Sequence, residues 1–222
     1  MLRPSQIEAL LGRLEELWVL EGDNAGEENY IEAGVRRLAN LANKGNIFRA
    51  IYAHPQVLEV VEAVMGRDMR ASMVNARDVP PNTGVRMPFH MDSDKGHVRD
   101  EKGYSAATAI WMLDPFTVEN GATAFVPGSH LLGKSPKEIL ADLNASHPEE
   151  IIIEGQPGDV LAFNGHCWHA GRPNLTDNHR RAILVHYLRA DVPRPENRRQ
   201  YVDLENQAEL SPRERELLGL DD

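Results

Sequence analysis

Cysteine is nearly absent: Cys167 stands alone among 222 residues, so no intramolecular disulfide can brace the chain, and a reducing, cytoplasmic setting is expected. Positive charge is in deficit. The formal net charge is −10, and the basic pairs Arg36-Arg37 and Arg180-Arg181 and the cluster 194–199 are short and scattered. A broad basic footprint for nucleic acid is therefore excluded. Long apolar runs are missing too, since none approaches the roughly 18 residues that a membrane span requires. The opening stretch MLRPSQIEALLGRLEELW carries acids between its leucines, which fits an amphipathic helix and not a secretion signal. The expected partner is a small molecule, with neither nucleic acid nor membrane. Nothing in the chain speaks to oligomeric state.

What is present is ordinary for a globular chain: 41% hydrophobic and 26% charged residues. At this length a single domain is expected, comprising a helical part (1–69), a strand-rich core (70–190) and a tail with a short helix (191–222). Ser5 and Glu8 have the spacing of a capping box ahead of Ile7, Leu10, Leu11, Leu14 and Leu17. A second helix is predicted over 30–42, and a third from Pro55 to a stop at Gly66. After Arg70 the texture changes to short apolar or alternating runs: 72–77, 86–92, 106–113, 122–126, 151–153, 160–164 and 182–188. Turn residues such as Pro127-Gly128 and Pro157-Gly158-Asp159 separate them. Many short strands at this spacing predict a sandwich or barrel, of which the jelly roll is one form. Further helices are predicted at 135–143 and 211–218.

The chemistry gathers around His90-Met91-Asp92. On an extended segment, residues two apart share a face, so this imidazole and carboxylate can point at one ion. A second imidazole would complete a two-His-one-carboxylate set, the donor group that holds iron(II) on one side and leaves the other side open. His166 and His169 compete for that place, and spacing alone does not decide between them. Cys167 could add a soft ligand, but a small buried wall residue is the simpler reading. Trp168 reads as core, and His130, after the Gly-Ser turn, as a hydrogen-bond partner that fixes it. Thr123 could offer its hydroxyl to a bound acid. Arg180 and Arg181 open the last long strand, so one should reach the site and the other should be solvated. A guanidinium fork grips a carboxylate with two parallel bonds. Arg86 and the charged loop 92–102 could receive an acidic group, though a solvated loop is the simpler reading.

Taken in order, these segments resemble the phytanoyl-CoA dioxygenase family of iron(II)/2-oxoglutarate oxygenases. The resemblance runs through His54-Pro55 to Gly66, Ser72 to Arg77, Pro88-Phe89-His90-Met91-Asp92, Trp111 to Asp114 and Glu119 to Thr123. It continues through Val126 to His130, Gly158 to Val160, Trp168-His169-Ala170-Gly171, Asn174, Arg180 to Ala182 and the tail from Leu210 to Leu218. It implies His90, Asp92 and His169 as iron ligands, and so selects His169 over His166. It also implies Arg180 on the distal carboxylate of 2-oxoglutarate, with Thr123 assisting and Asn75 lining the co-substrate pocket. The fold implied is mainly β: a double-stranded β-helix (jelly roll) core with N-terminal and peripheral α-helices. The activity implied consumes O2 and 2-oxoglutarate at Fe(II) and releases succinate and CO2. Related halogenases lack the carboxylate that Asp92 supplies, so hydroxylation is the expected outcome. Two departures stand out: Met87 where many relatives have glutamine, and Gly171 where some have serine. The competing readings are a cupin-like metal enzyme and a non-catalytic jelly-roll protein that binds a metal or a small acid.

Overall fold

The computed structural model describes residues 1–29, 31–93, 98–193 and 202–221. Helix α1 (Pro4–Glu21) begins one residue before Ser5, because Pro4 takes the first helical position, where its missing N–H costs nothing. The Gln6 side chain accepts the Arg3 backbone N–H at 3.0 Å, so the expected Ser5–Glu8 box is not what starts the helix. Ile7, Leu10, Leu14, Leu17 and Trp18 form its buried stripe, each such side chain contributing about 1.5–3 kcal/mol.

The helix predicted over 30–42 is not formed, and Tyr30 lies outside the described residues. Gly34 (φ +73°) and Asn40 (φ +51°) both take left-handed conformations that break a helical path. Between them, strand β1 (Arg36–Leu38) adds to the edge of a sheet. A four-residue helix, α2 (Arg49–Tyr52), follows. Helix α3 (Pro55–Met65) matches its prediction, with proline at its start and Gly66 after its end.

Strands β3 (Ala106–Met112) and β6 (Val160–Asn164) follow the predicted runs, as do β2 (Met69–Val79) and β8 (Arg180–Arg189), which are both longer than expected. Strands β4 (Ala124–Phe125), β5 (Ile151–Ile152) and β7 (His169–Ala170) are two residues each. Two antiparallel sheets result, one ordered β1-β2-β8-β3-β6 and the other β5-β4-β7. The architecture is mixed and sheet-rich. Segment 86–92 is not a regular strand: His90 forms an isolated bridge with His169, while the Phe89 N–H turns away to the Leu143 carbonyl at 2.8 Å. Helix α4 covers only Pro136–Ile139, and Leu140 is already extended. Helices α5 (Leu204–Gln207) and α6 (Pro212–Leu218) close the chain, the latter capped by Ser211 as expected.

The five-stranded sheet has two unlike faces. Alternate residues Val74, Ala76, Ala107, Ala109, Trp111, Ile183, Val185 and Tyr187 join the helical residues in the main core. Their neighbours Met73, Asn75, Arg77, Thr108, Ile110, Leu184 and His186 line a cavity on the other side. Period-two alternation thus builds core and cavity from the same strands. Among the described residues, no helix is long and apolar enough to cross a membrane.

Candidate metal and co-substrate site

Phe89 and Met91 pack with Val126, Trp168 and Ala170 in a small cluster that anchors the 89–91 segment. The bridge to His169 is closed by two backbone bonds, at 3.0 and 3.1 Å, and the Asp92 N–H is held by the Gly165 carbonyl at 2.8 Å. These contacts fix the backbone on both sides of His90. His90, Asp92 and His169 consequently bring one ligand atom each within 4.8 Å of one another. The Nδ1 of His90 lies 2.9 Å from the Pro88 carbonyl, and that of His169 lies 2.9 Å from the Cys167 carbonyl. A carbonyl partner requires the proton on Nδ1, which leaves Nε2 of each ring as a lone-pair donor toward the shared point.

Asp92 is gripped from the other side by Thr108, whose hydroxyl donates to Oδ2 at 2.7 Å. The Nε2 atoms of His169 and His186 lie 3.5 and 3.6 Å from Oδ1. Burial alone would raise the Asp92 carboxyl, but the His186 and His169 imidazoles hold it far below the usual carboxylate range. Burial and the neighbouring His169 push His90 down to about 4, whereas Asp92 outweighs burial at His169 and raises it. The set is a neutral imidazole, an anionic carboxylate and a second imidazole tied to that carboxylate. Such donors suit a divalent cation of intermediate softness.

The cavity beside these three groups has a volume of about 300 Å3. A smaller recess of about 40 Å3 shares Arg77, Ile110, Thr123 and Leu184 with it and ends on Phe116, Arg180 and Ala182. Arg180 is 3% exposed. Its Nη1 donates to the Gly121 carbonyl, and its guanidinium lies 5.1 Å over the Phe116 ring. Nε and Nη2 are buried with no hydrogen-bond partner among the described residues. Burial lowers Arg180 to about 9, which still leaves it charged at neutral pH. Gly121 has φ +82°, and a Cβ there would run into the Arg172 and Pro173 carbonyls, so only glycine puts this carbonyl against Arg180. Thr123 is buried and borders both spaces. Asn75 lines the larger one with a buried, unpartnered Oδ1.

Five of the six residues expected at the site therefore border the larger cavity, and Arg180 borders the adjoining recess, which shares Thr123 with it. Other expectations need correction. The segment between His166 and His169 is a turn and not extended strand, so their spacing along the chain could not place either imidazole. His166 is fully buried and bonds Ser105 at 3.0 Å, away from the triad. Cys167 is wall and not ligand, in keeping with the simpler reading: it donates to the Val126 carbonyl at 3.3 Å, and burial pushes its thiol up. Arg181 is not solvated but is paired with Asp114 at 2.8 Å. His130 Nδ1 has no partner among the described residues, and its ring lies against Tyr104, so it does not fix the turn by a hydrogen bond from that atom. Arg86 is taken up by Glu150 at 2.5 Å. Residues 94–97 of the charged loop, and the basic cluster 194–199, lie outside the described residues.

Sequence reasoning missed Thr108, His186 and Arg77. The signal was available in the last two cases: His186 lies in the even-numbered series with Arg180, and Arg77 is two residues from Asn75. The departures at Met87 and Gly171 are also linked. A Cβ on residue 171 would lie 3.0 Å from Met87 Sδ, so the glycine makes room for the thioether.

With this geometry in hand, the comparisons with known proteins are informative. The chain belongs to the phytanoyl-CoA dioxygenase family, whose description matches residues 1–182. It is 29% identical over 175 residues to dioxygenase af480 of Aspergillus fumigatus, covering 78% of this chain and 55% of that protein. It is 28% identical over 173 residues to the uncharacterised protein Rv1501 of Mycobacterium tuberculosis, covering 74% of this chain and 60% of that one. The chain thus spans little more than half the length of these relatives. Among solved structures it resembles HygX of Streptomyces hygroscopicus, determined with nickel and 2-oxoglutarate bound. That match has a TM-score of 0.67 and 18% identity, covering 91% of this chain and 88% of that one. The carbocyclase SnoK of nogalamycin biosynthesis matches with a TM-score of 0.67 and 22% identity, covering 96% and 84%.

Proposed function

We propose that this chain is an iron(II)- and 2-oxoglutarate-dependent oxygenase domain that hydroxylates an unactivated C–H bond of a small molecule. The observation that carries this reading is Arg180, a buried guanidinium with two unpartnered nitrogens at the far end of a recess that leads to His90, Asp92 and His169. Buried guanidinium N–H groups left without acceptors are costly, so such a site is built for an anion that arrives with a ligand. The donor set fits iron(II) equally well, with two imidazole Nε2 atoms and one carboxylate oxygen offered to one point. The antiparallel sheets, with the site between them, support a double-stranded β-helix core.

Iron(II) bound with 2-oxoglutarate and O2 would supply the oxidising power for C–H cleavage, as the keto acid is converted to succinate and CO2. The remaining work belongs to the protein. Arg180 would hold the distal carboxylate and so set which end of the keto acid faces the metal. Thr123 and Asn75 offer polar contacts along its length. Ile110, Phe163 and Leu184 keep the space between dry, which strengthens each of these polar contacts. Asp92 would offer its carboxylate to the metal, which favours hydroxylation over halogenation. The related SnoN and SnoK are an epimerase and a carbocyclase, so the outcome has to be tested directly.

The test is anaerobic addition of Fe(II) and then 2-oxoglutarate, read as the visible metal-to-ligand charge-transfer band. The band is expected for the unaltered protein and should be lost in His169→Ala. Bound iron without a band would instead favour the cupin-like or binding-protein readings. So would metal-dependent activity that survives Arg180→Ala.

A further inference from the structure

Three arginines stand in a row across neighbouring strands on the cavity face. Arg37 on β1 is directly opposite Arg77 on β2. Arg77 is opposite Ala182, and Arg180 is opposite Val79, which sets Arg77 and Arg180 diagonally across β2 and β8. Like charges placed opposite one another in a sheet are destabilising, and burial sharpens the penalty. Arg37 and Arg180 are only 8% and 3% exposed, and the Arg77 side chain 14%.

Among the described residues, Glu32 is the carboxylate seen to pair with this row. Glu32 takes Arg37 Nε at 3.0 Å, Arg77 Nε at 3.0 Å and Arg77 Nη2 at 2.5 Å. Arg37 and Arg77 line the larger cavity, whereas Glu32 does not, so Glu32 braces the pair from outside. Arg77 Nη2 also contacts Met87 Sδ at 3.7 Å. Its Nη1 makes no hydrogen bond among the described residues. Arg77 thus keeps a free donor edge on the cavity wall, in an orientation fixed by Glu32.

We propose that this edge receives the carboxylate of the primary substrate, so that the enzyme acts on small monocarboxylic acids. The proposal rests on the functional reading above. There, one carboxylate of 2-oxoglutarate is answered by Arg180 and the other lies at the metal centre, so neither is left for Arg77. Glu32 occupies the Nε and Nη2 side of Arg77, so the edge left facing the cavity is matched in size and charge by a single carboxylate. Met73 and Met91, on the walls of the same cavity, offer adaptable apolar surface to the body of such an acid.

Acetate is the probe, since it carries the carboxylate without demanding a particular shape. Protein loaded anaerobically with Fe(II) and 2-oxoglutarate is melted in acetate or in chloride of equal ionic strength, and the charge-transfer band is recorded throughout. A concentration of about ten times Kd stabilises by about 1.4 kcal/mol and should raise Tm by about 3–6 °C. The rise should vanish in Arg77→Gln and shrink in Arg37→Gln, which leaves the Arg77–Glu32 pair intact if the first variant folds poorly. The band should persist in all cases. Absence of a rise, or an equal rise in both variants, overturns the proposal. So does loss of the band on adding acetate, which would assign the edge to the co-substrate. Stabilisation by phosphate but not acetate would overturn the carboxylate assignment. If no band forms with 2-oxoglutarate alone, the functional reading itself fails, whatever acetate does.

Discussion

Replacing Thr108 with valine tests whether the carboxylate ligand is held in place before a metal arrives. The two side chains have nearly the same shape, so the change removes a hydroxyl and little else. Thr108 is 1% exposed, and its hydroxyl donates to Asp92 Oδ2 at 2.7 Å. A hydrogen bond to a charged group is worth about 1.5–3 kcal/mol, equivalent to roughly 10- to 150-fold in an equilibrium constant. Only part of this reaches the metal affinity, because the bond is also present in the metal-free protein. What is lost is the aim of the carboxylate, and partners of this kind typically change metal affinity by about 10- to 100-fold. The expected result for Thr108→Val is therefore a rise of about tenfold in the Kd for Fe(II) or Ni(II), measured anaerobically by competition with a chelator. Thr108→Ser keeps the hydroxyl and should stay within about threefold of the unaltered protein. Metal binding by Thr108→Val as tight as in the original would refute the reasoning. Equal weakening in both variants would also refute it, since the hydroxyl would then not be the cause.

Arg180→Gln should weaken 2-oxoglutarate binding by on the order of 100-fold or more while leaving metal affinity near its original value, because two charge-assisted bonds are removed. Titration of the charge-transfer band separates the two quantities. At Glu32, burial pushes the carboxyl up, but the hydrogen bond and charge of Arg77 and the charge of Arg37 hold it below its ordinary value of 4.5. A depressed carboxyl stabilises the fold above that value and ceases to do so as pH falls through the folded-state value. Glu32→Gln should therefore lower Tm by several degrees at pH 7, and the difference should fade below about pH 4.5. Gly171→Ala should cost about 1 kcal/mol by crowding Met87, and Met87→Ala should relieve that cost. Chemical unfolding of the four proteins in the cycle reads the coupling, and strict additivity would contradict the linked-departure reading.

The parts of the fold legible in the sequence were those governed by local rules. Pro55 and Gly66 mark the ends of α3 because their backbone preferences act within a turn. His90 and Asp92 could be paired because one intervening residue separates them and Met91 is anchored in an apolar cluster. Where the outcome depended on distant partners, pattern misled. The 30–42 segment has helical spacing, but its middle completes the edge of a sheet whose next strand lies about forty residues away. The choice between His166 and His169 could not be made by counting, because the Asn164–Trp168 stretch turns back on itself. The resemblance to the family, and not the spacing, selected the histidine that the geometry brings to the triad.

The alternation along β2 and β8 accounts for what was seen early and what was missed. On β8, Ile183, Val185 and Tyr187 announce a buried face, and their hydrophobicity makes the strand recognisable. The same run hides His186, because a histidine among apolar residues looks like an interruption of the core. Once the sheet is assembled, Arg180, Ala182, Leu184 and His186 lie along the opposite face, from the carboxylate recess to the metal ligands. On β2, Asn75 and Arg77 run beside them in the opposite direction. The guanidinium that would orient the keto acid and the imidazole that flanks Asp92 are thus fixed to one rigid strand, six residues apart. A site built on strands holds its groups at a spacing that the backbone sets. Substitutions on the core face of β8, such as Val185→Ala, should therefore disturb 2-oxoglutarate and metal binding together, even though Val185 touches neither.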